Sequence, residues 1–152
     1  MTEIRFYHTQ IRSAEEVLPD LLSKALKKFP RIACKVADEE RCLYFDDYLW
    51  HYHPQAFLPH GTDHDILPEH QPILLMTGDT ALNGAKTLMV MEEATLPANL
   101  SHYDLICLVF DGRDPRQREP ARQYWAQLKK EQQDVTLSYW QQQDSGQWIN
   151  KA

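Results

Sequence analysis

Arg118, Arg122, Trp125 and Lys129 follow one another at steps of four, three and four, so a regular helix carries them as one stripe. Guanidinium groups grip carboxylates bidentately, and an indole beside them receives an apolar side chain. The ligand that satisfies both features is an acidic peptide with a hydrophobic end or a terminal carboxylate. A second reading turns Trp125 into the core and leaves the charges as a solvated face; spacing alone keeps both open. Single-stranded DNA also uses arginine and tryptophan, but this stripe is short. From Arg113 to Lys130 six basic residues stand against two acidic ones, whereas the rest of the chain carries 10 positive and 20 negative charges, for a total of −6. A general nucleic-acid binder is expected to show a basic surplus. One basic helix on an acidic body predicts an anionic partner that touches that helix alone.

Other chemistry is sparser. His51, His53, His60, His64 and His70 fall within 20 residues, and His-x-His or His-x-x-x-His spacings bind zinc. Pro59 and Gly61 flank His60, which argues against a helical His60/His64 pair, and no cysteine accompanies the group; loop histidines with no metal are the expectation. Asp111 ends an apolar run, the place where α/β enzymes put catalytic groups, although an Asp before Gly-Arg-Asp-Pro also serves as a loop former or helix cap. The chain has no Gly-x-Gly-x-x-Gly, no Gly-x-x-x-x-Gly-Lys-Ser/Thr and no Gly-x-Ser-x-Gly, so no common nucleotide site, catalytic residue or cofactor is expected. The alternatives kept beside a binding role are a small-ligand enzyme with a pocket near Asp111 and a direct single-stranded DNA binder.

A third stretch reads as a docking surface. Leu43 to Gly61 crowds Tyr44, Phe45, Tyr48, Trp50 and Tyr52 ahead of Pro54, then gives Phe57-Leu58-Pro59-His60-Gly61. Pro54 cannot continue the helix that carries Trp50, so the chain turns and offers Phe57 and Leu58 on a loop. Exposed tryptophan and phenylalanine anchor protein interfaces; the other reading has Trp50 and Phe57 closing one end of the core.

The elements that must position these residues follow from periodicity. Ile4 to His8 alternates as a first strand. Ser13-Ala14-Glu15-Glu16 has the form of a capping box before Val17, Leu18, Leu21, Leu22, Ala25 and Leu26, with Pro19 suggesting a regular start nearer Leu18. Arg31 to Ala37 makes a second strand, and Asp38 caps a helix with Cys42, Phe45 and Leu49 on one face. Gly61 to Gln71 is polar, contains Pro68 and reads as a loop. Ile73–Met76, Leu88–Met91 and Leu105–Phe110 are continuous apolar runs, as in strands covered on both faces, with an Asn83-Gly84 turn between the first two. A helix then runs to about Lys130, from Asp114-Pro115 with a kink at Pro120 or from Glu119-Pro120. Val135–Trp140 alternates as a strand, and Trp148 falls in a short tail. This order predicts one α/β domain over residues 1–152, with a largely parallel central sheet flanked by helices.

At 43% hydrophobic and 25% charged residues the composition is that of a soluble globular protein. The first residues lack the basic segment and apolar run of a signal peptide, no window reaches transmembrane length, and three cysteines form no CxxC pair. A reduced, cytoplasmic protein is expected.

An ordered set of motifs spans nearly the whole chain: Phe6-Tyr7-His8, Asp46-Asp47 with Leu49-Trp50, Phe57-Leu58-Pro59-His60-Gly61, Gln71-Pro72-Ile73-Leu74-Leu75, Gly78-Asp79, Asn83-Gly84-Ala85, Phe110-Asp111-Gly112-Arg113-Asp114, Ala121-Arg122-x-x-Trp125, and Tyr139-Trp140 with Gly146-x-Trp148. This set resembles the chi subunit of bacterial DNA polymerase III, an accessory subunit of the clamp loader. The resemblance implies a Rossmann-like fold without a phosphate-binding loop and a noncatalytic role in DNA replication. It implies that the acidic, hydrophobic C-terminal tail of single-stranded DNA-binding protein docks on Arg122 and Trp125, beside Asp111, with Arg118 and Lys129 completing the stripe. It further implies a second surface at Trp50 and Phe57, with Leu58 and His60, for the psi subunit or an equivalent clamp-loader partner and alternatively for a repair helicase. DNA would be reached only indirectly, and no membrane is involved.

Overall fold

The computed structural model describes residues 1–53, 58–131 and 134–152; Phe57 therefore lies outside the described residues. In chain order the elements are β1 (Thr2–Thr9), α1 (Ala14–Leu26), β2 (Ile32–Lys35), α2 (Glu39–His51), β3 (His60–Thr62), β4 (Ile73–Met76), β5 (Thr87–Met91), β6 (Leu105–Asp111), α3 (Pro115–Glu131), β7 (Val135–Gln142) and β8 (Trp148–Asn150), with single 3₁₀ turns at Pro68–His70 and Leu100–His102. The strands form one sheet in the order β3-β4-β2-β5-β6-β1-β7-β8. Every pairing is parallel except β7 with β8. The open α/β sheet expected from the sequence is present.

The continuous apolar runs are explained by what covers them. Alternate residues of each central strand enter opposite cores: Cys34, Leu75, Met89 and Cys107 join the cluster under α1 and α2, whereas Ala33, Leu74, Leu88, Val90, Ile106 and Leu108 join the one under α3. Strands buried on both faces cannot afford a polar alternate residue. The three cysteines are buried free thiols, and loss of hydration pushes Cys42 and Cys107 up to about 12.

Local signals decide the helix starts. In α1 the Glu16 backbone N–H donates to Ser13 Oγ at 3.2 Å and the Ser13 N–H to Glu16 Oε1 at 3.0 Å, so the helix begins at Ala14 rather than near Leu18. The two reciprocal bonds, of order 1 kcal/mol, fix the start, and Pro19 is carried inside the helix with its ring buried. Asp38 caps α2 by accepting from Arg41 N at 2.8 Å. Of the two starts open for α3, the structure takes Pro115: the Asp114 carboxylate accepts from Arg116 N at 3.0 Å, its carbonyl takes Arg118 N at 2.8 Å, and the helix continues through Pro120.

Two edges differ from the sequence reading. The loop expected over 61–71 starts with the end of β3, an edge strand paired with β4, and contains a 3₁₀ turn. Gly61 is needed there, since a Cβ would meet Asp65 Oδ2 at 2.4 Å and Gln71 Cδ at 2.6 Å, while Asp65 Oδ2 binds Thr62 N at 2.8 Å. The Trp148 tail is strand β8, and its indole packs edge-on against Tyr7, with centroids 4.9 Å apart.

Candidate functional site

The order β6-β1-β7 makes α3 a crossover that spans β1, so the helix lies over the β1 side chains of one face. Ala121 and Leu128 are the buried positions of α3; the charged stripe runs along the border between that face and solvent. Trp125 sits on the border itself. Its indole is half-buried and packs edge-on against Phe6 at 5.2 Å and Tyr139 at 5.4 Å. The core reading of Trp125 is thus met in part: one side joins the core cluster and the other remains at the surface.

The cations divide by how firmly they are held. Arg118 donates from Nη1 to Gly112 O at 3.1 Å and from Nε to Glu119 Oε1 at 3.2 Å, with 29% of its side chain exposed; it buttresses the β6–α3 loop. Arg122 keeps 62% exposure and a long 3.6 Å ion pair to Glu119, so its guanidinium has donors to offer. Lys129 Nζ lies 5.2 Å from the Trp125 ring centre, a cation–π contact at the far end of the indole.

Three further residues complete this surface and are not singled out by helical spacing. His8 Nδ1 is 2.5 Å from Tyr139 Oη, and its ring packs on Phe110 at 5.1 Å. A Cβ on Gly112 would lie 1.8 Å from His8 Nε2; only glycine lets the loop pass over the imidazole. Burial, reinforced by the Arg122 and Arg118 charges, holds the His8 pKa below its ordinary value, and burial raises that of Tyr139. The signal that points to them is the alternation of β1, which sets Phe6 and His8 on one face. Asp111 is committed elsewhere: Arg113 binds its Oδ1 through N at 2.9 Å and Nε at 3.0 Å, and its Oδ2 through Nη2 at 3.0 Å. It orders the loop that carries Gly112.

The strand ends beside Asp111 carry the protein's own ion pairs around an open cleft lined by Glu15, Arg41, Glu92, Arg116 and Gln117. Arg41 Nη2 contacts both Glu92 oxygens at 2.9 and 3.1 Å and Glu15 at 3.6 Å. Lys35 Nζ, almost wholly buried, bonds Asp79 Oδ1 at 2.7 Å and Thr95 Oγ1 at 3.0 Å. Glu92 itself has φ 58°, a left-handed conformation that disfavours a side chain.

The second expected surface is the corner where α2 meets β3. Trp50 is 44% exposed, and its ring lies over the His60 imidazole with centroids 4.1 Å apart. Leu58 and His60, expected on the same surface, are buried instead. Leu58 belongs to the core beneath α2, while the His60 ring nitrogens face Leu58 O at 2.7 Å and Asp46 O at 3.0 Å, with Asp46 Oδ1 at 3.1 Å. A histidine flanked by proline and glycine is thus drawn inward by two main-chain oxygens and forms the floor on which Trp50 rests.

Comparison with protein families gives one finding: the model of the DNA polymerase III chi subunit, HolC, matches residues 1–136. The match covers all three helices and ends inside β7, leaving β8 outside it. Among curated proteins nothing matches.

Proposed function

We propose, on the premise that the chain belongs to the DNA polymerase III chi subunit family and is an accessory subunit of that polymerase, that it is a noncatalytic adaptor in the cytoplasm with two docking surfaces. Through α3 it binds the C-terminal tail of single-stranded DNA-binding protein. Through the α2–β3 corner it binds psi or an equivalent clamp-loader partner, or alternatively a repair helicase. The observation that carries the first half is the pairing of Arg122, mostly exposed, with a half-buried Trp125 supported on Phe6 and Tyr139. An acidic segment meets Arg122 and Lys129 while an apolar terminal side chain meets the indole. The ion pairs at Glu92 and Asp111 support a noncatalytic reading, because they engage the charged groups at the strand ends where α/β enzymes work.

Calorimetry with a tail peptide tests this. Arg122→Ala is expected to weaken binding by about 1.5–3 kcal/mol, the worth of a charge-assisted pair, and affinity is expected to fall with added salt. Unchanged affinity in Arg122→Ala removes the tail from this surface.

A further inference from the structure

The first turn of α2 and the chain leaving β3 bring together three side chains of mixed ligand chemistry. One donor atom from each of Glu39, Asp63 and His64 lies within 4.8 Å of the other two. His64 Nε2 is 2.7 Å from Glu39 Oε2 and 3.6 Å from Asp63 Oδ1. The arrangement is anchored from behind. The His64 N–H donates to Thr62 Oγ1 at 3.2 Å, and Thr77 Oγ1 donates to Glu39 Oε1 at 3.1 Å, which turns Oε2 toward the imidazole. Such outer bonds are what orient metal ligands.

The decisive atom is Asp63 Oδ1. That atom is shut off from solvent, although the Asp63 side chain as a whole is 22% exposed, and has no hydrogen-bond partner among the described residues; His64 Nε2 at 3.6 Å is too distant to donate to it. A carboxylate oxygen in that position lacks the donor that normally offsets its burial. Arginine does not supply one, because Arg41, the cation of this turn, is turned to Glu92 and Glu15. Asp63, Glu39, Asp46 and Asp65 together make the field at the neighbouring Cys42 negative.

We propose that Glu39, Asp63 and His64 form a site for a divalent first-row cation of the zinc class, which clamps the first turn of α2 to the end of β3. Zinc bonds of about 2.0–2.2 Å to N and O set tetrahedral ligands roughly 3.4 Å apart. The Asp63–His64 separation of 3.6 Å is close, the Glu39–His64 contact opens by roughly 0.7 Å, and Glu39 and Asp63, within 4.8 Å of each other, close to the same spacing. The ion takes the place of the direct Glu39–His64 contact, gives Asp63 Oδ1 its missing partner, and takes water at its exposed fourth position. The site explains why His64 and His60 diverge: the strand turns His60 inward and His64 to the carboxylates. It also ties down β3, the strand that carries the floor of Trp50.

The test is Zn²⁺ titration of the metal-free full chain by calorimetry, with Co²⁺ absorption as a ligand-field probe and melting temperature as a second readout. The expected result is one ion per chain, bound more tightly than the millimolar range, with a zinc-dependent rise in melting temperature. His64→Ala and the isosteric Asp63→Asn, each checked for folding, weaken binding at least tenfold and abolish the rise. His51→Ala, an exposed histidine outside the cluster, leaves both unchanged. Absent one-to-one binding in the wild type, wild-type affinity in folded His64→Ala or Asp63→Asn, or an equal loss in His51→Ala overturns the proposal.

Discussion

Trp125 and Trp50 are both partly exposed indoles resting on an aromatic partner, yet their surroundings are opposite in charge. Trp125 stands on Phe6 and Tyr139 with Arg118, Arg122 and Lys129 along its helix. Trp50 stands on His60, whose ring is held by Asp46, and Asp47 follows on the same acidic helix. The contrast teaches that an exposed indole alone does not say what would dock on it; under the proposed function the neighbouring charges select the ligand. A basic rim selects an anionic peptide and makes its affinity salt-dependent; an acidic neighbourhood rejects the same peptide.

The supports of the two indoles differ as well, and replacing them separates the surfaces most strongly. Phe6 is fully buried under α3, so Phe6→Ala should cost about 3–5 kcal/mol of stability in urea unfolding and remove the floor of the tail site with it. A much smaller cost would mean that Trp125 is not seated in the core. His60→Ala should cost less, about 1–3 kcal/mol, because it removes the buried ring that bridges Leu58 O and Asp46 O. Trp50→Ala, at the surface above it, should change stability by less than about 1 kcal/mol. If Trp50→Ala destabilised as much as His60→Ala, Trp50 would be a core residue and the second surface would disappear.

The smallest effect concerns pH and belongs to the α3 side. The folded chain holds His8 below its ordinary pKa through burial and the Arg122 and Arg118 charges. Below about pH 6.5 the unfolded chain takes up a proton at residue 8 that the folded chain resists. Stability therefore falls as pH drops from about 6.5 toward the folded value, and His8→Asn should flatten that slope. Equal slopes in the two proteins would mean that His8 is not buried in the folded chain.

Much of this organisation is legible in the sequence where one local signal dominates. The apolar runs at 73–76, 88–91 and 105–110 are strands because both faces are covered, and the capping box at Ser13 fixes α1 despite Pro19. Edge strands are not legible: β3 and β8 have three residues each, too few to show a period, and are defined only by pairing with β4 and β7. The same division holds at the site. Arg122 and Trp125 share one helix, so their spacing exposes them. His8 and Tyr139 meet across 131 positions and appear only once β1 lies between β6 and β7. His60 reads as a loop histidine because no spacing reveals that two backbone oxygens wait for its ring.

The most direct test of two independent surfaces is a crossed binding measurement. Wild type, Arg122→Ala and Trp50→Ala are each titrated with the single-stranded DNA-binding-protein tail peptide and with the clamp-loader partner. The account predicts that Arg122→Ala loses the tail and keeps the partner, while Trp50→Ala does the reverse. Loss of both ligands in one folded variant, or retention of the tail by Arg122→Ala, would contradict it.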